Sequence, residues 1–459
     1  MPSAPGALEE IGAALLMAND LVLPNRPGRS DSTLEKLANL LPFTDYIPHD
    51  EYINDIARSL LMFEEVAVAP AVKEAAEYMD LPELFLEHLG IGLREFCELV
   101  FAAATRYLVP KTNELLSSPE ALLLRPAFFR NTRIPPEKVR TFLSKVALAA
   151  DRYREELKRL QERPGDDFSV LQRFSFLEVL QDVFICLDPG FLVEKAGRGL
   201  YWTLFSELPT NREREKLAAF WGRLFEEYIN EILESNYSVG GRLMKQPRFS
   251  NGDQAFDACL LEGRNLVVLE HKASVLRADC KYSGDAARLG DELRLKFIEG
   301  HTEGKKGLGQ LKHNLVRFFG GDPLDGLAAE SVDRVYPALV CLDRSMGVPF
   351  MGRYLDEEFR KDFPPRKTRQ VITPLIALTV NDVESFAPYL HTVELCQIFE
   401  SFHAKNKARL WSMSSSEVPV LKPAKKGKDI IREKFSEFAR TMEVNLFGDQ
   451  AESVEQTSP

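Results

Sequence analysis

The stretch QAFDACLLEGRNLVVLEHK covers residues 254–272 and contains two apolar runs on either side of the polar turn EGRN at 262–265. Each run is short and rich in aliphatic side chains, which is typical of buried β-strands. The sequence therefore predicts strands over 254–261 and 265–271, joined as a hairpin by the turn between them.

The hairpin groups three charged residues. Strand side chains alternate between faces, so Glu270 and Lys272 point to one face and His271 to the other, where we expect a hydrogen-bonded imidazole in the core. Pairing of the two strands places Asp257 beside Glu270. Two adjacent carboxylates are costly unless a cation neutralises them, and their oxygens suit Mg²⁺ or Mn²⁺. A neighbouring lysine can orient the water that such an ion polarises.

The pattern Glu-x-Lys occurs three times, at residues 156–158, 270–272 and 303–305. The first lies in a charged helix and the third in a glycine-rich loop. Only the middle one closes an apolar strand, where charged side chains are unusual. The alternative interpretation is a strand end with a structural ion pair among Asp257, Glu270 and Lys272.

The flanking sequence predicts an α/β fold. An amphipathic helix covers 213–235, a strand covers 242–249 before the hairpin, and helical sequence covers roughly 284–319 with a Gly- and Lys-rich interruption at 300–309. Two further strands are predicted over 334–342 and 371–380. The order helix, three strands, helix, strand, strand is that of an α/β sandwich.

The N-terminal half reads differently. Apolar residues recur at intervals of three and four over 51–67, 83–108 and 137–161, and a further helical block is predicted at about 168–186. A linker at 208–211 (LPTN) follows. We expect a helical N-terminal domain over 1–207, an α/β domain over 208–400, and a C-terminal segment over 401–459 with one helix at about 429–442 and a disordered polar tail.

The segment around Asp257 and Glu270-x-Lys272 resembles the signature of the PD-(D/E)xK nuclease superfamily, whose restriction-endonuclease-like core has the order αβββαβ. The resemblance covers about 217–380 and implies a metal-dependent phosphodiesterase. It adds Glu226, on the helix before the first strand, to the metal ligands Asp257 and Glu270, with Glu227 and Glu231 as competitors. It also implies the backbone carbonyl of His271 as a ligand, Lys272 as the residue that orients water, and Gln310 as a residue that positions the scissile strand.

Two positions depart from the family pattern. Phe256 replaces the proline before the aspartate, which leaves Asp253 as a rival to Asp257. Exonuclease-like members carry a tyrosine four positions after the glutamine, whereas this chain has Asn314. That difference puts membership of the exonuclease-like subgroup in doubt, and an endonuclease is favoured.

The charge distribution bears on a nucleic-acid partner. The chain carries a net charge of −11, but residues 1–207 contain 22 Lys and Arg against 32 Asp and Glu, so the rest is nearly neutral. Residues 272–320 contain ten positive side chains against six acids, and residues 421–440 seven against three. A local surplus of positive charge is what a phosphate backbone requires. We expect Lys281, Lys312 and Arg317 to contact nucleic acid, with DNA favoured over RNA.

Other features bear on the compartment. The six cysteines are scattered without a CxxC pair, which predicts reduced thiols and no structural zinc site. No signal peptide or membrane-spanning run is visible, so we expect a cytoplasmic protein without membrane association.

The leading hypothesis is therefore a Mg²⁺- or Mn²⁺-dependent nuclease. Its helical N-terminal half would serve as a recognition module or dock a protein partner, and the chain could form an oligomer. By analogy its setting would be bacterial defence, restriction or mobile-element processing. The alternatives are a catalytically silent nuclease-fold subunit that binds nucleic acid or acts as a scaffold, and an α/β protein with a structural ion pair.

Overall fold

The structure, a computed structural model, describes residues 32–42, 51–108, 122–161, 167–300, 306–361, 363, 370–413 and 416–447. This part of the chain is a mixed α/β structure, which confirms the predicted class. The expected disordered tail, residues 448–459, lies outside the described residues.

The helices of the N-terminal half are α1 (Thr33–Leu40), α2 (Glu51–Leu60, continued by irregular helical turns to Val68), α3 (Pro70–Lys73), α4 (Leu81–Leu89), α5 (Leu93–Leu108), α6 (Pro136–Val146), α7 (Ala150–Gln161), α8 (Ser169–Arg173), α9 (Pro189–Glu194) and α10 (Gly199–Glu207). Those that follow are α11 (Asn211–Asn236), α12 (Ala278–Lys281), α13 (Ala286–Leu293), α14 (Leu308–Phe319), α15 (Met351–Arg360), α16 (Val380–Phe386), α17 (Leu395–Lys405) and α18 (Ile430–Phe447).

The strands form two sheets. The smaller sheet has the order β1-β4-β3-β2, from β1 (Leu123–Leu124), β2 (Ala147–Ala149), β3 (Phe176–Leu180) and β4 (Val183–Cys186). The larger sheet has the order β10-β8-β7-β6-β5, with β9 also paired to β8. Its strands are β5 (Arg242–Lys245), β6 (Ala258–Glu262), β7 (Asn265–Lys272), β8 (Arg334–Cys341), β9 (Val371–Ile372) and β10 (Ile376–Thr379).

Strand directions in the larger sheet change at β7. β5, β6 and β7 pair antiparallel, whereas β7, β8 and β10 run parallel. The register aligns Lys272 with Cys341, and Cys341 with Thr379. The carboxyl ends of three parallel strands therefore meet at one edge of the sheet. Edges of this kind are common places for binding sites in α/β proteins.

Helix α11 begins with a capping box in which Thr210 and Glu213 satisfy each other's backbone N–H groups. Its apolar residues recur at helical spacing, and the face they form packs against β7. The predicted helix over 213–235 is confirmed. The 208–211 segment, predicted as a linker, supplies the start of this helix.

The small sheet corrects two predictions for the N-terminal half. Helical sequence was expected over 168–186, but the helix ends at Arg173 and a β-hairpin follows. Asp182, with φ of 58°, turns this hairpin, and aspartate tolerates that left-handed conformation better than most residues. The expected helix over 137–161 is likewise interrupted by β2, which pairs with β3.

Three strands of the large sheet are shorter than expected. β5 ends at Lys245 rather than at 249, because Gln246 adopts a left-handed φ of 47° and Pro247 has no N–H to donate. β6 begins only at Ala258, so Asp257 precedes the strand instead of lying within it. The strand expected over 371–380 is split into β9 and β10 around Pro374, for the same reason.

One hydrophobic cluster extends across the expected domain boundary at 207/208. It contains Phe63 and Phe96 from the N-terminal helices, Phe225 from α11, and Val267 from β7. The C-terminal helix α18 packs against α2. A second cluster fills the other face of the large sheet, beneath α13, α14 and α15. The first face of that sheet is covered by α11, α16 and α17. The boundary itself stays a prediction.

All six cysteines are free thiols, as predicted, and only Cys186 is partly exposed. Among the described residues, none of the helices combines the length and apolar composition that crossing a membrane requires.

Candidate active site

Asp257 and Glu270 meet where β6 and β7 pair, as the hairpin predicted. The backbone N–H of Asp257 donates to the carbonyl of Leu269 at 3.2 Å, which extends the ladder by one residue. The carboxylate of Asp257 in turn accepts the backbone N–H of His271 at 2.6 Å. Asp257 and Glu270 are only 5% and 1% exposed, so both acids are held inside the protein.

Lys272 supplies the positive charge at this edge. Its Nζ donates to Oε1 of Glu270 at 2.7 Å, and its side chain is 18% exposed. The other oxygen of Glu270, Oε2, is buried and has no hydrogen-bond partner among the described residues. A buried carboxylate oxygen without a donor is costly. One coordination position of Glu270 is therefore unused in this arrangement.

Glu226 on α11 is the third carboxylate. Its side chain is 28% exposed and lies 3.8 Å from the guanidinium of Arg223. The charges of Asp257 and Lys272 both act on it. Its competitor Glu231 instead interacts with other acids of the helix and with Glu65. Of the candidates on this helix, Glu226 has the direct electrostatic link to the hairpin.

The proton affinities of these groups reflect their crowding. Burial, followed by the charge of Asp257, raises the pKa of Glu270 to about 8. The same two causes raise the pKa of Glu226 to about 7, although Arg223 and Lys272 oppose the shift. Burial disfavours the ammonium of Lys272, but Glu270 and Asp257 outweigh it and raise the pKa of Lys272 above its ordinary value. Three acids share one buried cation, so negative charge here is under-neutralised.

His271 is buried on the opposite face of β7, as predicted, with its ring 6.5 Å from the ring of Phe225. The expected hydrogen bond is absent, because neither ring nitrogen has a partner among the described residues. Burial lowers the pKa of this imidazole to about 4 and keeps it neutral. That its backbone carbonyl binds a metal stays a prediction.

Helix α14 runs alongside the segment that leads into β6. The side-chain amide of Asn314 is buried and donates to the carbonyl of Ala255. One turn later, Arg317 donates to the carboxylate of Asp253 at 2.9 Å. Asn314 thus has a structural partner within the protein. Gln310, one turn earlier, is half-buried.

Asp253, the rival to Asp257, is excluded from the cluster by the same contacts. Its side chain is largely exposed and is held by Arg317 and by the amide of Asn251. The carboxylate of Asp257 receives instead the amide of Gln254 at 3.1 Å. Sequence reasoning did not assign Gln254 a role, although it lies three residues before the aspartate in the same segment.

The residues expected to contact nucleic acid are engaged within the protein. Lys312 donates to the carbonyl of Lys361 at 2.7 Å. Arg317 pairs with Asp253 and Asp322 and lies 4.0 Å from the ring centroid of Phe249. Lys281 is only 7% exposed. Their contact with nucleic acid stays a prediction, and it would require these side chains to exchange protein partners for phosphates.

Asp343 is a second residue, after Gln254, to which sequence reasoning gave no role. Its side chain forms hydrogen bonds with the loops that follow β7 and β8. Its carboxylate accepts the backbone N–H groups of Leu276 at 2.7 Å and Ser345 at 2.8 Å. Both loops leave the sheet at the edge where Lys272 ends. An acid directly after the predicted strand over 334–342 was the signal for it.

The carboxylates do not form a ready-made ligand set. Within the described parts of the chain, no group of three or more His, Cys, Asp or Glu side chains is arranged to hold a metal ion. The side chains nevertheless fit a hard cation by their chemistry, since they offer carboxylate oxygens, a raised proton affinity and one buried oxygen without a donor.

Comparison of the chain with protein-family models, with curated proteins and with solved structures finds no match.

Proposed function

We propose that this chain is a metal-dependent nuclease with a restriction-endonuclease-like core, which cleaves phosphodiester bonds of nucleic acid, DNA in preference to RNA, at internal positions. The order of elements supports this proposal. Helix α11, the antiparallel strands β5 to β7, helix α14 and the parallel strand β8 follow one another as the αβββαβ order requires.

The observation that carries the proposal is the state of Glu270. A structural carboxylate buried to this extent is ordinarily surrounded by donors or cations. Glu270 has one lysine on one oxygen, no donor on the other, and two further acids acting on it. Such an arrangement lowers the stability of the folded protein. A function that uses the charge of the Glu270 carboxylate is therefore the physical reason for retaining this residue.

Asp257, Glu270 and Glu226 would hold Mg²⁺ or Mn²⁺, together with the backbone carbonyl of His271. When bound, the ion would supply a lowered pKa for a coordinated water and positive charge near the phosphate oxygens. The backbone N–H of His271 and the amide of Gln254 fix the carboxylate of Asp257 in place for this task.

Lys272 acts as a cation rather than as a base, because its neighbours raise its pKa and keep it protonated. Its three N–H donors can orient the attacking water and stabilise the negative charge that develops on the phosphate. This role requires Lys272 to turn from Glu270 towards the substrate. Gln310 lies on the same helix, one turn before Asn314, and its amide would position the scissile strand.

The experiment is cleavage of supercoiled plasmid, linear duplex, single-stranded DNA and RNA by the full chain, with MgCl₂ or MnCl₂ and with EDTA. We expect metal-dependent nicking of plasmid, and a loss of about 100-fold or more for Lys272→Ala. The matched control is Lys158→Ala, which removes the lysine of the Glu-x-Lys pattern in the exposed helix α7 and should cleave like the wild type. Equal activity of Lys272→Ala, or cleavage in EDTA, would refute the proposal.

A specific observation favours the second candidate, a catalytically silent nuclease-fold subunit. The ion pair between Lys272 and Glu270 already engages the lysine, and the carboxylates are not gathered as ligands. This candidate predicts binding of DNA without cleavage in either metal. Filter binding of the same substrates in EDTA, beside the cleavage assay, separates the two.

A further inference from the structure

A second polar site lies at the edge of the large sheet beside β10. It is a cavity of about 650 Å³ between the ends of α15 and α17, and the loop 406–411 closes one side. The positively charged residues lining it are Arg360, Lys361, Lys407 and Arg409. A volume of this order fits a small organic ligand.

The charges of this cavity do not cancel. Arg360 and Arg409 both bind the buried carboxylate of Asp356, which leaves one positive charge in excess. Lys407 is exposed and adds a second. Lys361 pairs with Glu358, and Glu357 pairs with Arg353, so these four offset one another. The cavity therefore carries a surplus of about two positive charges.

The loop that carries Arg409 is held rigidly. Asn406 is buried, and its side chain accepts the backbone N–H of Leu410 at 3.0 Å and donates to the carbonyl of Trp411 at 2.7 Å. The carbonyl of Leu410 accepts the backbone N–H of Phe350 at 2.8 Å, which ties the loop to the start of α15. The guanidinium of Arg409 is therefore positioned in advance of any ligand.

Arg409 is also conformationally strained. Its φ is 54°, in the left-handed region that residues other than glycine, asparagine and aspartate rarely adopt. The ends of α15 and α17 attract cations through their partial negative charge, which accounts for Arg360 and Lys361. This partial charge does not account for Arg409, which lies outside both helices and has a strained backbone conformation. Strain of this kind concentrates at binding sites.

His403 also lines the cavity, and its Nε2 is buried without a hydrogen-bond partner among the described residues.

The cavity is separate from the candidate active site. Pro374 lines it and lies just before β10, level with Tyr336 in the strand register, whereas Lys272 is aligned with Cys341. Pro374 and Lys272 are therefore separated by about five residues along the strand direction and by two strands across the sheet, which corresponds to roughly 20 Å. The two sites thus lie at different ends of the sheet.

We propose that this cavity binds a dianionic phosphate group, a phosphomonoester that is either free or at the end of a nucleotide chain. The two guanidinium groups and the ammonium of Lys407 match a phosphate in charge and in its need for several donors. Asp356 holds both guanidinium groups in place through bonds from Arg360 and Arg409.

The test is isothermal titration of the full chain in EDTA with inorganic phosphate, adenosine 5′-monophosphate, adenosine, and a short oligonucleotide with either a 5′-phosphate or a 5′-hydroxyl. We expect the probes with a phosphomonoester to bind and their counterparts without one to bind at least about tenfold more weakly. Binding of inorganic phosphate or the mononucleotide identifies a free ligand. Binding of the 5′-phosphorylated oligonucleotide alone identifies a chain end.

Two variants locate the site. Lys407→Gln should weaken binding about tenfold, whereas Lys405→Gln, which removes an exposed lysine of α17 that does not line the cavity, should not. Arg409→Asn should weaken binding further, and asparagine tolerates the left-handed backbone, so the fold is retained. Failure of every phosphomonoester to bind, or equal binding by Lys407→Gln and the wild type, would overturn the proposal.

Discussion

Helix α11 contributes to two buried carboxylate clusters that differ in how they are neutralised. On one side, Tyr228 donates to the carboxylate of Glu384 at 2.6 Å, and Arg58 donates to the same carboxylate at 2.5 and 2.8 Å. Arg58 also donates to Asp55 at 2.8 Å. We call this the paired cluster. On the other side, Glu226 faces the hairpin that carries Asp257 and Glu270. This second group, with Lys272, is the open cluster.

The proton affinities of the two clusters differ in direction. In the paired cluster, burial raises the pKa of Asp55, but Arg344 and Arg58 outweigh burial and lower it below its ordinary value. In the open cluster, burial and Asp257 raise the pKa of Glu270 to about 8. Both acids are buried, so burial alone does not decide the outcome. The direction of the pKa shift depends on the number of cations near the carboxylates, and the open cluster has too few cations for its acids.

The first prediction breaks the paired cluster and has the largest expected effect. Arg58→Met leaves Glu384 and Asp55 buried with less compensation, which should lower the free energy of unfolding by about 3 to 5 kcal/mol. Urea denaturation measures it. Arg154→Met, which removes one half of the exposed pair with Asp151, serves as control and should leave stability unchanged. Equal losses in the two variants would contradict the structural role of the paired cluster.

The second prediction concerns the pH dependence of the open cluster in EDTA. The folded protein holds the proton of Glu270 up to about pH 8, whereas the unfolded chain releases it near its ordinary pKa of 4.5. Folding therefore binds protons, and the free energy of unfolding should fall as the pH rises between these values, by on the order of 5 kcal/mol.

Glu270→Gln cannot titrate, so the wild type should lose stability relative to this variant across the same range. Urea denaturation at intervals from pH 5 to pH 9 gives the difference. A constant difference between the two proteins would show that the charge of Glu270 is compensated in solution.

The third prediction supplies the cation that the open cluster lacks. A metal that binds the folded state at 100 times its dissociation constant stabilises it by about 2.7 kcal/mol. At pH 8, MgCl₂ or MnCl₂ should raise the thermal unfolding midpoint of the wild type, and not that of Glu270→Gln. The paired-cluster variant Arg58→Met should have a lower unfolding midpoint without metal, and the metal should still raise that midpoint. A midpoint that is independent of metal would count against the metal site.

The fourth prediction is the smallest and distinguishes neighbouring acids of α11. Glu226→Gln removes one of the repelling charges, but the side chain is 28% exposed, so solvent screens the effect. We expect a gain of less than about 1 kcal/mol at pH 8 in EDTA, together with a weaker thermal response to MgCl₂. Glu227→Gln, one position along, should change neither quantity. The reverse result would reassign the third ligand.

Two hairpins show how far the sequence could be interpreted. The hairpin of β6 and β7 was predicted because its apolar runs are bounded by a polar turn, and the pairing of Asp257 with Glu270 followed from strand alternation. The hairpin of β3 and β4 was missed. Its residues 176–186 are apolar at spacings that also fit a helix, and only pairing with β2 and β1 selects the strand conformation.

The candidate site divides in the same way. Asp257, Glu270, Lys272 and Glu226 were predicted from local pattern and from a family resemblance, and in the structure their charges act on one another. Gln254 and Asp343 were not found, because their roles depend on which backbone N–H groups or carboxylates lie beside them after folding.

The sequence by itself determined the local elements: the capping box that begins α11, the prolines that shorten β5 and divide β9 from β10, and the alternation that puts Glu270 and Lys272 on one face. These depend on neighbours within a few residues along the chain. Tertiary structure alone decided that Tyr228 and Arg58 meet at the carboxylate of Glu384. It also decided that Glu226 lies within reach of the charges of Asp257 and Lys272. Neutralisation depends on charges that are distant in sequence, and proton affinity is set by their sum in the folded state.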